Sequence, residues 1–443
     1  MLDLSTLYRH SLSSTSKGVP DSLDGVTIED VPKRGLNLLR DGFPAAVAVI
    51  RASALQANIG LMRQYTASAG VGLAPHGKTT MSPQLFDLQM QAGAWGITCA
   101  TAAHLRLYRQ FRVPRIIMAN QLLDADSVRF VARELAADPG FEFYGIVDSV
   151  EGVRQYRDVL TRSSPSLLSP GRVLNLLLEV GAAGGRTGVR TVEAALAVAR
   201  EVAAGAVGGG PLRLVGIEAF EGIFPGSPRE AEVSVQSFMQ KVSEIARRCD
   251  EERLFGSENV VLTAGGSAYF DQVVTALRSV SLSRPTQVIL RSGCYITHDH
   301  GAYAAAVDRL RERGTANAFK EKSFEPALEL WTTVQSIPEP GLAILTLGKR
   351  DVSFDMGLPV PLKLHRSGVA TPGAIVPADI RGKAEIVKLN DHHGYLRFTD
   401  LNLSVQDRVA VGISHPCTTF DRWEYLYVVD DQYNISSVIR TFF

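Results

Sequence analysis

Gly72-Leu73-Ala74-Pro75-His76-Gly77-Lys78-Thr79-Thr80 follows a helix-like stretch over Ala52–Ser68. It reads as a short strand that ends on a lysine. A strand-end lysine aimed into a site can form a Schiff base with a carbonyl group. Taken alone, the commoner explanation is a solvated surface lysine, because charged side chains are mostly exposed. What decides the fold is the pattern that this stretch begins.

From Ala45 to about His300, short apolar strands alternate with amphipathic helices, which predicts a parallel sheet. The expected strands are 72–75, 96–99, 115–119, 142–147, 173–180, 214–220, 259–263 and 287–291. Eight such units fit a (β/α)8 barrel better than an open sheet. Beyond residue 320 the pattern changes to short strands separated by Gly, Pro, Asp and His. These are expected at 328–336, 342–347, 375–376, 384–387, 395–398, 408–412 and 425–429, an all-β arrangement. The expected fold class is therefore α/β, a barrel over residues 45–305 followed by a C-terminal β domain over 320–443.

Three more segments carry chemistry. Gly181-Ala182-Ala183-Gly184-Gly185-Arg186-Thr187-Gly188 follows the apolar run 173–180. Its glycines permit close backbone approach to a ligand, and Arg186 offers a rigid fork of donors. Thr263-Ala264-Gly265-Gly266-Ser267 is a strand-to-helix turn whose free backbone N–H groups suit a phosphate. His415-Pro416-Cys417 places imidazole and thiol two apart, on one side of an extended segment, a pair that suits zinc. Each has a plain structural explanation when taken singly. Lys78, Arg186, Gly265 and Tyr295 nevertheless all fall just after a predicted strand, on the face where barrels place their sites.

Together these residues resemble the D-serine dehydratase and D-threonine aldolase group of fold-type III pyridoxal-phosphate enzymes, relatives of alanine racemase. Pro75-His76-Gly77-Lys78-Thr79 is similar to the group's Pro-His-x-Lys-Thr, whose lysine carries the cofactor. Gly185-Arg186-Thr187-Gly188 resembles the turn whose arginine faces the cofactor ring. Gly265-Gly266-Ser267 resembles the phosphate loop, and Gly293-Cys294-Tyr295 the Gly-x-Tyr after the last barrel strand. His415-x-Cys417 resembles the zinc pair of the dehydratases, where aldolases carry His-x-Asp. The resemblance thus implies pyridoxal phosphate held by Lys78, His76, Arg186, Thr263, Gly265, Gly266, Ser267, Gly293 and Tyr295. It implies zinc on His415 and Cys417, with Lys78 as the catalytic base at the α-carbon. It also implies that residues 1–44 join the β domain, that the substrate is a D-amino acid, and that a homodimer forms.

The expected reaction is zinc-assisted loss of a β-hydroxyl from D-serine or another 3-hydroxy-D-amino acid, giving an oxoacid and ammonia. The alternative is retro-aldol cleavage. Aldolases resemble Gln-Ala-Tyr-His-Gly where this chain has Glu218-Ala219-Phe220-Glu221-Gly222, so Glu221 is the candidate base in place of histidine. A racemase would gain nothing from His415 and Cys417. A non-catalytic cofactor carrier of the single-barrel type would lack the β-rich segment. His298-Asp299-His300 reads as a polar loop end, with Asp299 near the site, and Asp391-His392-His393-Gly394 as an exposed turn.

Composition narrows the partners. Lys plus Arg equals Asp plus Glu, 46 each, so no net field favours nucleic acid or an anionic membrane. No apolar run approaches a spanning helix, and Met1–Lys17 lacks an apolar leader core. Four scattered cysteines suggest no disulfide framework and a reducing cytoplasm.

Overall fold

The computed structural model describes residues 2–162, 172–206, 209–366 and 375–443. Strand β1 (Val47–Arg51) comes first but stays outside the barrel. The barrel strands are β2 (Gly72–Leu73), β3 (Ile97–Cys99), β4 (Arg115–Met118), β5 (Glu142–Val147), β6 (Leu174–Val180), β7 (Leu212–Ala219), β8 (Val260–Ala264) and β9 (Thr286–Leu290). They are all parallel, in the order β2-β9-β8-β7-β6-β5-β4-β3. A bridge between His76 and Thr98 joins the two ends, so the sheet closes on itself. Trp95 N–H donates to Leu73 O at 2.6 Å and Thr98 N–H to Pro75 O at 2.9 Å across this seam. The fold is the alanine racemase-like barrel with a second sheet, as the sequence led us to expect.

The barrel interior is a small apolar plug of Ala74, Ile117, Tyr144, Ile146, Leu177, Val215, Val261 and Ile289. The larger core lies outside it, between strands and helices. There the helices turn apolar stripes inward. Val235, Met239, Val242 and Ala246 are buried along Pro228–Glu251, at the three-to-four-residue spacing that a one-sided helix requires. That helix starts on a capping box, with Ser227 and Glu230 each binding the other's backbone N–H.

The second sheet comprises β10 (Leu328–Glu339), β11 (Leu342–Leu345), β12 (Val360–His365), β13 (Ala378–Asp379), β14 (Ala384–Leu389), β15 (Gly394–Phe398), β16 (Arg408–Gly412), β17 (Tyr425–Val429) and β18 (Ile435–Arg440). Its main order is β13-β12-β16-β10-β1-β17-β18, with β11, β15 and β14 branching from β10. The strand expected at 375–376 forms three residues later, at Ala378–Asp379, and Val376 is exposed. Strand β1 pairs antiparallel with β10 and parallel with β17. Residues 45–51 therefore lie on the second sheet rather than in the barrel. Their continuous apolar run reads as a buried strand in either setting, so the sequence cannot assign it. The N-terminal segment packs against the same sheet. Leu38 N–H donates to Tyr433 O, and Leu38 O accepts the Arg408 guanidinium. Among the described residues, no helix is long and apolar enough to cross a membrane.

The barrel tolerates no side chain at Gly216 in β7. A Cβ there would stand 1.8 Å from Val261 O on the neighbouring strand, and backbone cannot swing aside. Gly216→Ala should cost roughly 3 kcal/mol by overpacking. A urea midpoint unchanged from the parent would contradict this account of the β7–β8 contact.

Candidate active site

The carboxyl ends of the barrel strands carry a polar belt above the apolar plug. Glu179 on β6, Glu218 on β7 and Thr263 on β8 are register neighbours. Arg291, just past β9, closes the belt. Its guanidinium is ion-paired with Glu218 and donates to Ala219 O at 2.9 Å and to Thr263 Oγ1 at 3.3 Å. Burial pushes the Glu218 carboxyl up from 4.5 to about 7, against the pull of Arg291. Its Oε2 has no hydrogen-bond partner among the described residues. Glu179 is raised too, by burial, while Thr187 Oγ1 donates to it at 2.7 Å. That bond ties the Arg186 turn to β6. Gly188 N–H, donating to Asp148 at 2.9 Å, ties the same turn to the loop after β5.

Lys78 stands exposed at the mouth, on a single helical turn over Gly77–Thr79. His76 precedes it. Burial, then the positive charges of Lys78 and Arg291, push the His76 imidazole well below its ordinary range, so it is neutral. His104 and Arg186 act on it as well. The structure thus gathers Lys78, His76 and Arg186, which the sequence separates by up to 110 positions. Arg186 is exposed and stacks over the Phe220 ring at 4.6 Å. Gly265 has φ +92°, and a Cβ there would meet Leu290 at 2.5 Å. A Cβ on Gly293 would meet His76 O at 2.6 Å. Both glycines are required by close packing. Ser292 Oγ donates to Gly266 O at 2.9 Å and links the two loops.

Two expected site residues sit differently from the rest. Glu221 is fully buried, and its carboxylate accepts the N–H of Gly265 at 3.0 Å and of Gly266 at 2.7 Å. It acts as a fixed internal acceptor beneath the loop, and burial raises its carboxyl against those two bonds. The Tyr295 hydroxyl accepts Gln89 Nε2 at 3.1 Å, with its ring buried beside Phe324. It is held inside the fold rather than at the mouth.

The second sheet delivers His415 and Cys417 to the same mouth. They follow β16, and Cys417 opens a short helix over Cys417–Phe420. Cys417 Sγ lies 3.5 Å from Thr79 Oγ1, one residue from Lys78. The His415 ring bonds Asp355 through Nδ1 at 2.6 Å, and Asp355 also accepts Thr418 Oγ1 at 2.7 Å. Burial works against the charged imidazole, but Cys417 and Asp355 outweigh it and raise His415 to about 9. Cys294 Sγ is 3.6 Å from Cys417 Sγ. That contact, with His415 and Thr79, holds the Cys417 thiol well below its usual value and pushes Cys294 up.

Asp355 and Arg291 escaped the sequence reading, since neither has a local motif. Cys294 stood inside a quoted motif and was passed over. Asp299 accepts the N–H of Gly301, Tyr303 and Ala304, and it lies near the site as expected, where burial raises its carboxyl against the pull of His415. Among the described residues, no three His, Cys, Asp or Glu side chains are grouped so that they could hold a metal ion together.

Known proteins resemble this chain in sequence and in fold. Residues 327–429 match the family model described as "Putative serine dehydratase domain". The chain resembles the D-serine dehydratase and D-threonine aldolase enzymes. It is 23% identical over 373 residues to the 3-hydroxy-D-aspartate aldolase of Paracoccus denitrificans (strain Pd 1222), covering 83% of this chain and 84% of that one. It is 24% identical to the D-threonine aldolase of Arthrobacter sp, covering 92% and 94%. Among solved structures, D-threonine aldolase from Filomicrobium marinum superposes with a TM-score of 0.69 at 18% identity, covering 90% and 95%. D-threo-3-hydroxyaspartate dehydratase from Delftia sp. HT23 gives 0.65 at 20%, covering 92% and 99%. Neighbouring structures of such a dehydratase include a histidine-to-alanine variant and, two positions on, a cysteine-to-alanine variant in the metal-free form.

The residues at the mouth fit a pyridoxal phosphate. Lys78 is accessible, the Nδ1 atoms of His76 and His104 are buried without partners, and Gly265 and Gly293 leave no room for side chains. The N–H groups of Gly265 and Gly266 are the exception, being held by Glu221. The pair His415 and Cys417 fits zinc in donor type, and Asp355 gives the imidazole the carboxylate support common behind metal-bound histidine.

Glu218 makes a pH signature. A carboxyl raised from 4.5 to about 7 contributes its stability fully below pH 4.5 and loses it as pH rises through 7. Glu218→Gln should remove that fall, roughly 2–3 kcal/mol between pH 4.5 and 7.5. Urea unfolding of parent and variant across this range checks it, and parallel curves would rule Glu218 out.

Proposed function

We propose that this chain is a pyridoxal-phosphate-dependent lyase, assisted by zinc, that removes the β-hydroxyl of a 3-hydroxy-D-amino acid to give an oxoacid and ammonia. D-Serine and 3-hydroxy-D-aspartate are the substrates to test. One observation carries the reading. Cys417 Sγ meets Thr79 Oγ1 at 3.5 Å, so the lysine turn of the barrel and the His-x-Cys pair of the second sheet serve one site. The similarity to dehydratases and aldolases of hydroxy-D-amino acids supports it. The reading includes a homodimer in the cytoplasm, consistent with four cysteines that are all free thiols.

The residues take these roles. Pyridoxal phosphate, when bound, supplies an electron sink for the substrate's α-carbon. Zinc, when bound, supplies a Lewis acid for the β-hydroxyl. Lys78 Nζ carries the α-proton. His76, neutral and buried behind it, keeps a second positive charge away. Arg186, clamped through its turn to Glu179 and Asp148, presents its fork over Phe220. Thr263, Gly265, Gly266, Ser267 and Gly293 shape the anion end of the site, and Tyr295 buttresses it from below. His415 and Cys417 hold the metal, with Asp355 fixing the imidazole. Glu221 spends both oxygens on the loop. It is therefore poorly placed to take a proton from the β-hydroxyl, and this favours elimination over aldol cleavage. The aldolase reading keeps the support of its relatives, since the 3-hydroxy-D-aspartate aldolases and the D-threonine aldolase are similar to this chain in sequence.

Two outcomes test the proposal. Lys78→Ala should lose the lysine-linked visible absorption band and reduce turnover by at least about 10³-fold. Full turnover in that variant would end the reading. Chelation should abolish elimination while leaving the visible band, since the pair acts on the hydroxyl. Product analysis then separates the reactions. Oxoacid plus ammonia supports elimination, whereas glycine plus an aldehyde or glyoxylate as main products would establish the aldolase.

A further inference from the structure

Cys294 and Cys417 are 123 positions apart and belong to different sheets, yet their sulfur atoms lie 3.6 Å from each other. Cys294 sits on the turn Cys294–Ile296 after β9, and Cys417 on the turn that follows β16. Thr79 Oγ1 touches both, at 3.9 and 3.5 Å. Cys294 is buried and Cys417 is partly exposed. The other cysteines offer no such partner. Cys99 is buried against Met118 Sδ at 3.3 Å, and Cys249 is buried on the helix Pro228–Glu251.

We propose that Cys417 and Cys294 are a peroxide-sensitive pair that closes into a reversible disulfide across the site. The sulfur separation must fall to about 2.05 Å, so each sulfur moves by roughly 0.8 Å. The arrangement is that of a redox-sensing pair, a partly exposed cysteine beside a buried resolving one. In the first step Cys417 gives its proton to water and its sulfur attacks hydrogen peroxide. An S–O bond forms, the O–O bond breaks and hydroxide leaves, giving a sulfenic acid. In the second step Cys294 sulfur attacks Cys417 sulfur. The S–S bond forms, the S–O bond breaks, and the departing hydroxide takes the Cys294 proton as water. The two sulfurs lose two electrons and peroxide gains them. A dithiol reductant reverses the change by exchange.

The consequence rests on the proposed metal role of Cys417. A disulfide takes away the thiolate that zinc requires, so oxidation removes metal binding. Bound zinc, in turn, shields Cys417 from peroxide. Lys78 takes no part in the bond, although Thr79 beside it lies against both sulfurs.

The test uses the whole chain, freed of metal and treated with limiting hydrogen peroxide. Thiol titration and peptide mass mapping read the result. Expected are a loss of two of the four thiols, a cross-linked peptide pair containing 294 and 417, and recovery with dithiothreitol. In Cys294→Ser a dimedone adduct should build up on Cys417 instead, with no cross-link. Four thiols remaining in the treated parent chain, a cross-link elsewhere, or dimedone labelling of Cys417 equal in parent and variant would overturn the proposal. The mapping on the parent chain stands even if the variant folds poorly. Zinc titration of the reduced chain separates this inference from the function above. Cross-linking without any zinc binding sustains the disulfide and removes the metal reading. Zinc binding without cross-linking of the metal-free chain does the reverse.

Discussion

Strand β2 is two residues long, and the barrel closes across it. The seam at His76 and Thr98 depends on a few backbone bonds, among them Trp95 to Leu73 and Thr98 to Pro75. Closure turns eight parallel strands into a ring whose carboxyl ends share one rim. The pairing of β2 with β9 on its other side places the lysine turn beside Arg291, since His76 N–H donates to Arg291 O at 3.1 Å. Without the seam, β2 and β3 would stand at opposite edges of an open sheet, and the lysine turn would lose its tie to the rim at Thr98.

The rim is costly to build. Glu218 and Arg291 are taken out of water together, and burial of such a pair is offset only if the remaining donors and acceptors are satisfied. Arg291 is well served, by Ala219 O, Thr263 and Glu218. Glu218 is served on one oxygen only, and its carboxyl responds by holding its proton to higher pH. Glu221 meets the same problem differently, by spending both oxygens on backbone N–H groups. Two buried carboxylates three residues apart thus have opposite surroundings. One is a tunable acid beneath the site, and the other is a structural strut under a loop.

The second sheet does more than cover the barrel. By recruiting β1 and packing the N-terminal segment on its face, it is tied to the barrel at both ends of the chain. This fixes the approach of β16, and with it the place of His415 and Cys417 beside Thr79. Asp355 reaches His415 from 60 positions earlier, which makes the imidazole's orientation a property of the sheet rather than of the motif.

The sequence alone determined the eight barrel strands, nearly to the residue, because short apolar runs alternating with one-sided helices have few other solutions. It also determined the motif positions, since Lys78, Arg186, Gly265 and His415 stand at strand ends that local pattern can locate. Tertiary structure decided what local pattern cannot reach. It moved 45–51 to the other sheet, because an apolar strand is acceptable wherever both faces are covered. It turned Tyr295 inward to Gln89 and bound Glu221 to the loop, because a side chain's partner is chosen by whatever folding brings near. It also brought Cys294 to Cys417, a contact that needs two sheets, and no spacing of residues along one chain encodes the distance between them.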